Sequence, residues 1–210
     1  MNLGEMSGIT YRKDFGYWWP DYDHKPEVCY GLVTRNKADM QFGIKLCKQR
    51  DRVIQAGGHA GLWAIELAKT FKNVHTFEPE PALFECMRRN IDGTAIHAWK
   101  LALGDTVGDV MLRPHVSAGS WSVQEDGTVP VKQVTIDSLG FTTLNLLILD
   151  IEGYEPQALR GAAQTIAKCR PVIHVEMLNR PTTEVTRTVL NEFGYMMVRK
   201  IHKDEIYVPR

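Results

Sequence analysis

The chain has 210 residues, a size suited to one domain around a single large core. Its 25 Lys and Arg balance 25 Asp and Glu, so net charge gives no reason to expect nucleic acid or an anionic membrane as a partner. The four cysteines, Cys29, Cys47, Cys86 and Cys169, form no CxxC pair, which argues against a zinc knuckle or a disulfide framework.

No apolar run is long enough to span a bilayer, and the N-terminal "MNLGEMSGITYRKDF" lacks the apolar segment of a signal peptide. A cytoplasmic location is expected. Residues 1–50 read as an N-terminal arm and lead-in helix, and residues 51–210 as the core of one domain. In the arm, Trp18, Trp19, Asp21 and Tyr22 suit either a lid that stacks on an acceptor or ordinary packing against the core.

The core opens with "RVIQA" (Arg52 to Ala56), a short β-branched strand, then a glycine turn, then the helical "LWAIELAK". "NVHTFE" (Asn73 to Glu78) is a second strand, followed by a helix with Pro81 in its first turn. A third strand falls near "AIHAWKLAL". The irregular stretch from Asp105 to Asp137 is expected to hold a hairpin around "EDGT", and its "SAGSWS" (Ser117 to Ser122) to face an acceptor. "LNLLILD" (Leu144 to Asp150) is an uninterrupted apolar run of the kind buried on both faces of a parallel sheet. One helix is expected from Glu155 and Pro156 through Ile166, then the strand "PVIHVE", then a helix stopped by Gly194. "YMMVRK" and "EIYVPR" close the chain as an antiparallel hairpin. This order implies an α/β, doubly wound, mostly parallel sheet with a C-terminal β-hairpin.

Ligands of such sheets bind beyond the carboxyl ends of the strands. Gly57, Gly58 and Gly61 allow a sharp turn and let a ligand approach main-chain N–H groups beside a helix start; His59 sits inside that turn. Glu78 ends the next strand, where a carboxylate accepts the hydroxyls of an adenosine ribose. Each feature also has a plain structural reading, as a tight turn and as a solvated carboxylate. The array G-G-H-A-G does not fit the G-x-G-x-x-G that a pyrophosphate requires, which counts against a nicotinamide dehydrogenase. A G-x-x-x-G turn followed by an acidic second strand instead matches Rossmann-like methyltransferases that use S-adenosylmethionine.

The pieces "QAGGHAGLW", "VHTFEPEPALFECMRRNI", "ALGD", "VTIDSL", "LLILDIEGYEPQALRGA" and "RPVIHVE" occur in an order that resembles the FkbM-type methyltransferases, over roughly Arg52 to Glu176. "DIEGYEPQALRGA" is the most specific of them. "YWWPDYD" ahead of the glycine turn is similar to a branch of this family found in virus genomes, for which the location would be the host cytosol. The resemblance implies S-adenosylmethionine as cofactor, held by Gln55, Gly57, Gly58, His59, Gly61, Glu78, Ala102 and Asp150. It implies O-methylation of a sugar or another hydroxylated small molecule.

Gln55 departs from the family, which usually carries Asp there. Loss of the charge is expected to weaken cofactor binding by ~1 kcal/mol, the difference between an ordinary and a charge-assisted hydrogen bond. It also keeps open a catalytically inactive, cofactor-binding relative. For the chemistry, Asp150 is the candidate base or orienting group, with a turn cap as its structural alternative. Glu152 and Glu155 orient acceptor hydroxyls or start the helix, and His174 stands on the adjacent strand. Asp150, Glu176 and Asn179 are the oxygen donors available for a magnesium ion, which the resemblance does not require; no metal is expected.

Overall fold

The computed structural model describes residues 9–35, 37–115 and 120–210. The N-terminal arm is more structured than its sequence indicates. Strands β1 (Tyr11–Asp14) and β2 (Tyr17–Pro20) form an antiparallel hairpin whose turn places Phe15 and Gly16 at positive φ, and the helices α1 (Pro26–Arg35) and α2 (Lys37–Leu46) follow. Trp19 is fully buried beside Ala60, Leu62 and Cys86, so this tryptophan is packing, not lid.

The core comprises β3 (Arg52–Ala56), α3 (Leu62–Ala68), β4 (Asn73–Phe77), α4 (Pro81–Asn90), β5 (Ile96–Trp99), β6 (Ala102–Leu103), β7 (Gly108–Arg113), β8 (Ser122–Val123), β9 (Val129–Val134), β10 (Leu146–Leu149), α5 (Glu155–Arg160), α6 (Ala163–Cys169), β11 (Val172–Glu176), α7 (Arg180–Glu192), β12 (Tyr195–Ile201) and β13 (Asp204–Pro209). Seven strands form the main sheet in the order β12-β13-β11-β10-β3-β4-β5. The five from β11 to β5 are parallel, and β13 runs antiparallel between β11 and β12. The C-terminal hairpin expected from sequence is thus present, with its last strand inserted next to β11.

Both faces of this sheet are covered, which is why its strands read as continuous apolar runs. Ile54, Leu147, Leu149, Ile173 and Val175 pack against Leu159 and Leu190 on one face. Val53, Val74, Leu146 and Val172 pack against Met40, Ile44 and Leu67 on the other.

Two elements differ from the sequence reading. The helix expected from Glu155 through Ile166 is broken into α5 and α6. At the break a Cβ on Gly161 would lie 1.9 Å from the Gly104 carbonyl oxygen, so the chain passes there at backbone contact. The new helix start is capped by Asp137, whose carboxylate accepts from the Gln164 and Thr165 N–H groups at 2.9 and 2.8 Å. The "EDGT" turn joins β8 to β9, which are not neighbours; β7 lies between them in a small sheet of order β6-β9-β7-β8. Turn chemistry marks where a chain reverses but not which strand it then pairs with.

On the β4–β5 side, His75 is buried, stacks on His97 at 4.7 Å, meets the Phe141 ring edge at 4.7 Å and accepts from Trp99 Nε1 at 3.3 Å. Burial, then the neighbouring His97 and Arg52, pushes its pKa down to about 4. The unfolded chain therefore takes up this proton from about pH 6.5 downward and the folded chain only near pH 4, so the contribution of the neutral ring is complete above about pH 6.5 and is lost as pH falls towards about 4. Buried carboxyls with raised pKa act in the opposite sense, so the effect is read as a difference. Between about pH 7 and about pH 4.5, the melting temperature of the wild-type protein should change less favourably than that of His75→Gln. Parallel curves would refute the assignment.

Candidate active site

The glycine turn between β3 and α3 is shaped by backbone proximity. Gly57 has φ +84°, and a Cβ there would lie 1.9 Å from the Asp150 carbonyl oxygen; at Gly58 a Cβ would meet Thr76 Oγ1 at 2.7 Å. The sequence reading has these N–H groups facing a ligand. In the structure Gly57 N and Gly58 N both donate to the Phe77 carbonyl, at 3.1 and 2.8 Å, and Gly61 N donates to Gly58 O at 2.8 Å. The glycines serve close packing of the turn against β4 and β10.

That packing fixes Glu78. Its Oε2 accepts from His59 N at 2.8 Å and its Oε1 from Glu80 N at 2.9 Å, and the residue is buried at the cleft wall. Burial pushes its pKa up to about 7, against the two main-chain N–H bonds that favour the charged form, with the Glu80 charge adding to the rise. Each oxygen retains a free lone pair for a further donor. His59 is at φ +48°, its Nδ1 3.6 Å from Cys29 Sγ and its ring 6.0 Å from Trp19. Burial lowers its pKa, against the charge of Asp23, and so favours the neutral ring.

Gln55 is buried and engaged at both ends. Its Oε1 accepts from Thr76 Oγ1 at 2.5 Å and its Nε2 donates to Gly57 O at 2.6 Å. The carbonyl expected to face a ligand is instead spent on the neighbouring strand, so Gln55 braces the turn.

A cleft of about 350 Å³ opens at the carboxyl ends of the strands, lined by Gly57, His59 and Glu78 at one side and by Asp150, Glu152 and Glu176 at the other. Asp150 directly follows β10 and is exposed into this cleft. Removal from bulk water, then the charge of Glu176 and a hydrogen bond with it, and the charges of Asp204 and Glu152, raise its pKa well above the carboxylate range. Glu152, at φ +55°, is pushed up to about 7 by burial and by Glu176, with Lys203 opposing.

Glu155 takes the structural role. It is fully buried, and its Oε1 accepts from Ile151 N at 3.0 Å and Gly153 N at 3.2 Å, closing the loop that carries Asp150. His174 is buried and does not line the cleft, its Nε2 3.4 Å from Asp204 Oδ2 and its Nδ1 without a partner. Ala102 is not among the cleft-lining residues; with Phe77, Pro79 and Leu101 it bounds a separate apolar slot of about 30 Å³. Tyr22 donates to Glu80 Oε2 at 2.7 Å, beside the Trp121 ring. Of "SAGSWS", Ser120 lines the cleft, whereas Ser117 to Gly119 lie outside the described residues.

Asn179 does not join the acidic residues, because its Oδ1 caps α7 by accepting from Thr182 N at 3.1 Å. Among the described residues no group of three or more His, Cys, Asp and Glu is placed to hold a metal ion, and no helix is long and apolar enough to cross a membrane. Two segments escape sequence reading. Asp23 and Lys25, just ahead of α1, and Cys29 in its first turn reach the cleft, and Lys203 and Asp204 reach the site from the C-terminal hairpin turn. In sequence that turn is only a polar reversal; its place depends on β13 pairing Asp204 opposite Glu176.

A family model described as the methyltransferase FkbM domain matches residues 55–198. The hexuronic acid methyltransferase AglP of Haloferax volcanii is 25% identical over 174 residues, covering 79% of this chain and 72% of that protein. Among solved structures, methyltransferase FkbM from Methylobacillus flagellatus KT superposes with a TM-score of 0.61 at 18% identity, over 90% of this chain and 55% of that one, so this chain spans just over half of that protein's length. A ribosomal protein L11 methylase from Lactobacillus delbrueckii subsp. bulgaricus superposes with a TM-score of 0.53 at 13% identity, over 86% of this chain and 80% of the other. At those identities the structural likenesses establish the Rossmann-like methyltransferase fold.

Proposed function

The chain belongs to the FkbM methyltransferase domain family, and from that premise we propose that it transfers a methyl group from S-adenosylmethionine to a hydroxyl of a sugar or another small molecule. The observation that carries this reading is that Glu78 and Asp150 face one cleft of about 350 Å³ at the strand ends. That volume is within the range of sites that enclose a ligand of cofactor size.

The residues present fit the cofactor. Glu78 keeps a lone pair on each oxygen for the two ribose hydroxyls, and it lines the cleft together with Gly57 and His59 of the glycine turn. The cofactor supplies an activated methyl group on a cationic sulfonium. The chain's part is alignment, exclusion of water and removal of the acceptor's proton. Asp150 is placed for the last of these. The Glu176 carboxylate beside it raises its basicity, and Glu152, in the same cleft, orients the incoming hydroxyl. The hexuronic acid methyltransferase relative supports a sugar-type acceptor.

S-adenosylhomocysteine at ~100 times its dissociation constant should stabilise the fold by ~2.7 kcal/mol, a rise of several degrees in melting temperature, whereas NAD should leave it unchanged. A shift with NAD alone would reverse the choice of cofactor.

A further inference from the structure

Gln55 raises the question of what balances the α-ammonium of the cofactor's amino-acid arm once the acid usual at this position is gone. Gln55 does not do so, since its carbonyl is taken by Thr76 and its amide by Gly57. Next to it lies a small void of about 40 Å³, lined by Gln55, Trp63, Asp150, His174 and Asp204. A single ammonium displaces roughly the volume of one water, ~30 Å³, and fits there. The lining offers a cation carboxylates from β13 and from the end of β10 and the indole of Trp63, set against apolar walls of Met40, Ile148 and Leu149.

His174 gives an independent sign that the void receives a ligand. It is only 9% exposed, and its Nδ1 has no partner, while Nε2 lies 3.4 Å from Asp204 Oδ2 and holds that carboxylate at the void. A buried ring nitrogen left without a partner is costly unless something polar comes to it. Asp150 also lines the larger cleft, beside Glu152 and Glu176, where the acceptor's proton is to be taken up. Asp204 lines the void but not that cleft, and its carboxylate lies against the His174 imidazole.

We propose that Asp204, positioned by His174, is the counter-ion for the amino-acid arm of the cofactor and replaces from the last strand the charge that Gln55 lacks. This rests on the reading of the cleft as an S-adenosylmethionine site. The charge has moved from β3 to β13, three positions along the sheet with β10 and β11 between, and lines the same void as Gln55.

The test is calorimetric and needs no acceptor. S-adenosylhomocysteine carries the ammonium, and 5′-methylthioadenosine lacks the amino-acid arm. Asp204→Asn should weaken S-adenosylhomocysteine ~10- to 100-fold, the scale of one hydrogen bond to a charged group, and leave 5′-methylthioadenosine unchanged. Adding Gln55→Asp to Asp204→Asn should recover part of the loss. Equal weakening of both ligands, or none of either, would overturn the assignment, and absence of any recovery would count against a shared pocket. Failure of the wild-type protein to bind either ligand is a different result, and would overturn the cofactor reading itself.

Discussion

Asp150→Asn is expected to lower turnover by ~10²–10⁴-fold, the range of a lost general base, while the melting temperature stays close to wild type. The structure removes the main alternative for this residue. A cap for the turn after β10 is needed, but Glu155 provides it, through Ile151 N and Gly153 N. Asp150 is free to face the cleft, and its backbone is held where its carbonyl meets Gly57. Its pKa is raised by burial and by Glu176, so the fraction of enzyme with an available base grows as pH rises. Turnover of the wild type should rise with pH and that of Asp150→Asn should not. Methyl transfer to a hydroxylated acceptor, followed beside S-adenosylhomocysteine affinity, separates the two roles: a base mutant loses kcat, a binding mutant loses affinity. Full activity in the folded variant would remove Asp150 as base and shift attention to Glu152 and Glu176.

What the sequence disclosed depended on how local the determinant was. The strand-turn-helix around Gly57, the buried run ending at Asp150, the C-terminal hairpin and the family itself are written in contiguous residues, through periodicity, glycine placement and apolar runs. The partners of Gln55 were not legible, because Thr76 is reached across a strand pair whose register only the fold sets. The same holds for Asp204, brought beside Asp150 by an antiparallel strand inserted out of chain order. The break between α5 and α6 escaped for a related reason: it follows from the approach of Gly161 to Gly104, 57 positions earlier in the numbering of the chain. Residues that act through distant neighbours carry little mark of it in their own surroundings.

Glu78→Ala should weaken S-adenosylhomocysteine by ~100-fold or more, since hydrogen bonds to a charged group contribute roughly 1.5–3 kcal/mol each and two ribose hydroxyls would lose their acceptor. Gln55→Ala should cost far less affinity, because the Gln55 side chain serves Thr76 and Gly57. Glu78 also has a structural task, accepting from His59 N and Glu80 N, so Glu78→Ala should lower the melting temperature as well. Glu78→Gln separates the two effects: it keeps one carbonyl oxygen for a main-chain donor and the size of the side chain, but loses the charge that the ribose hydroxyls favour. The pH dependence gives a further discriminator. Ribose hydroxyls donate to the carboxylate, and burial holds the free group at about 7, so wild-type affinity should fall as pH drops through that value. In Glu78→Gln that dependence should be absent. If calorimetry gave wild-type affinity for folded Glu78→Ala, adenosine could not lie against β4, and the cleft would need a different ligand.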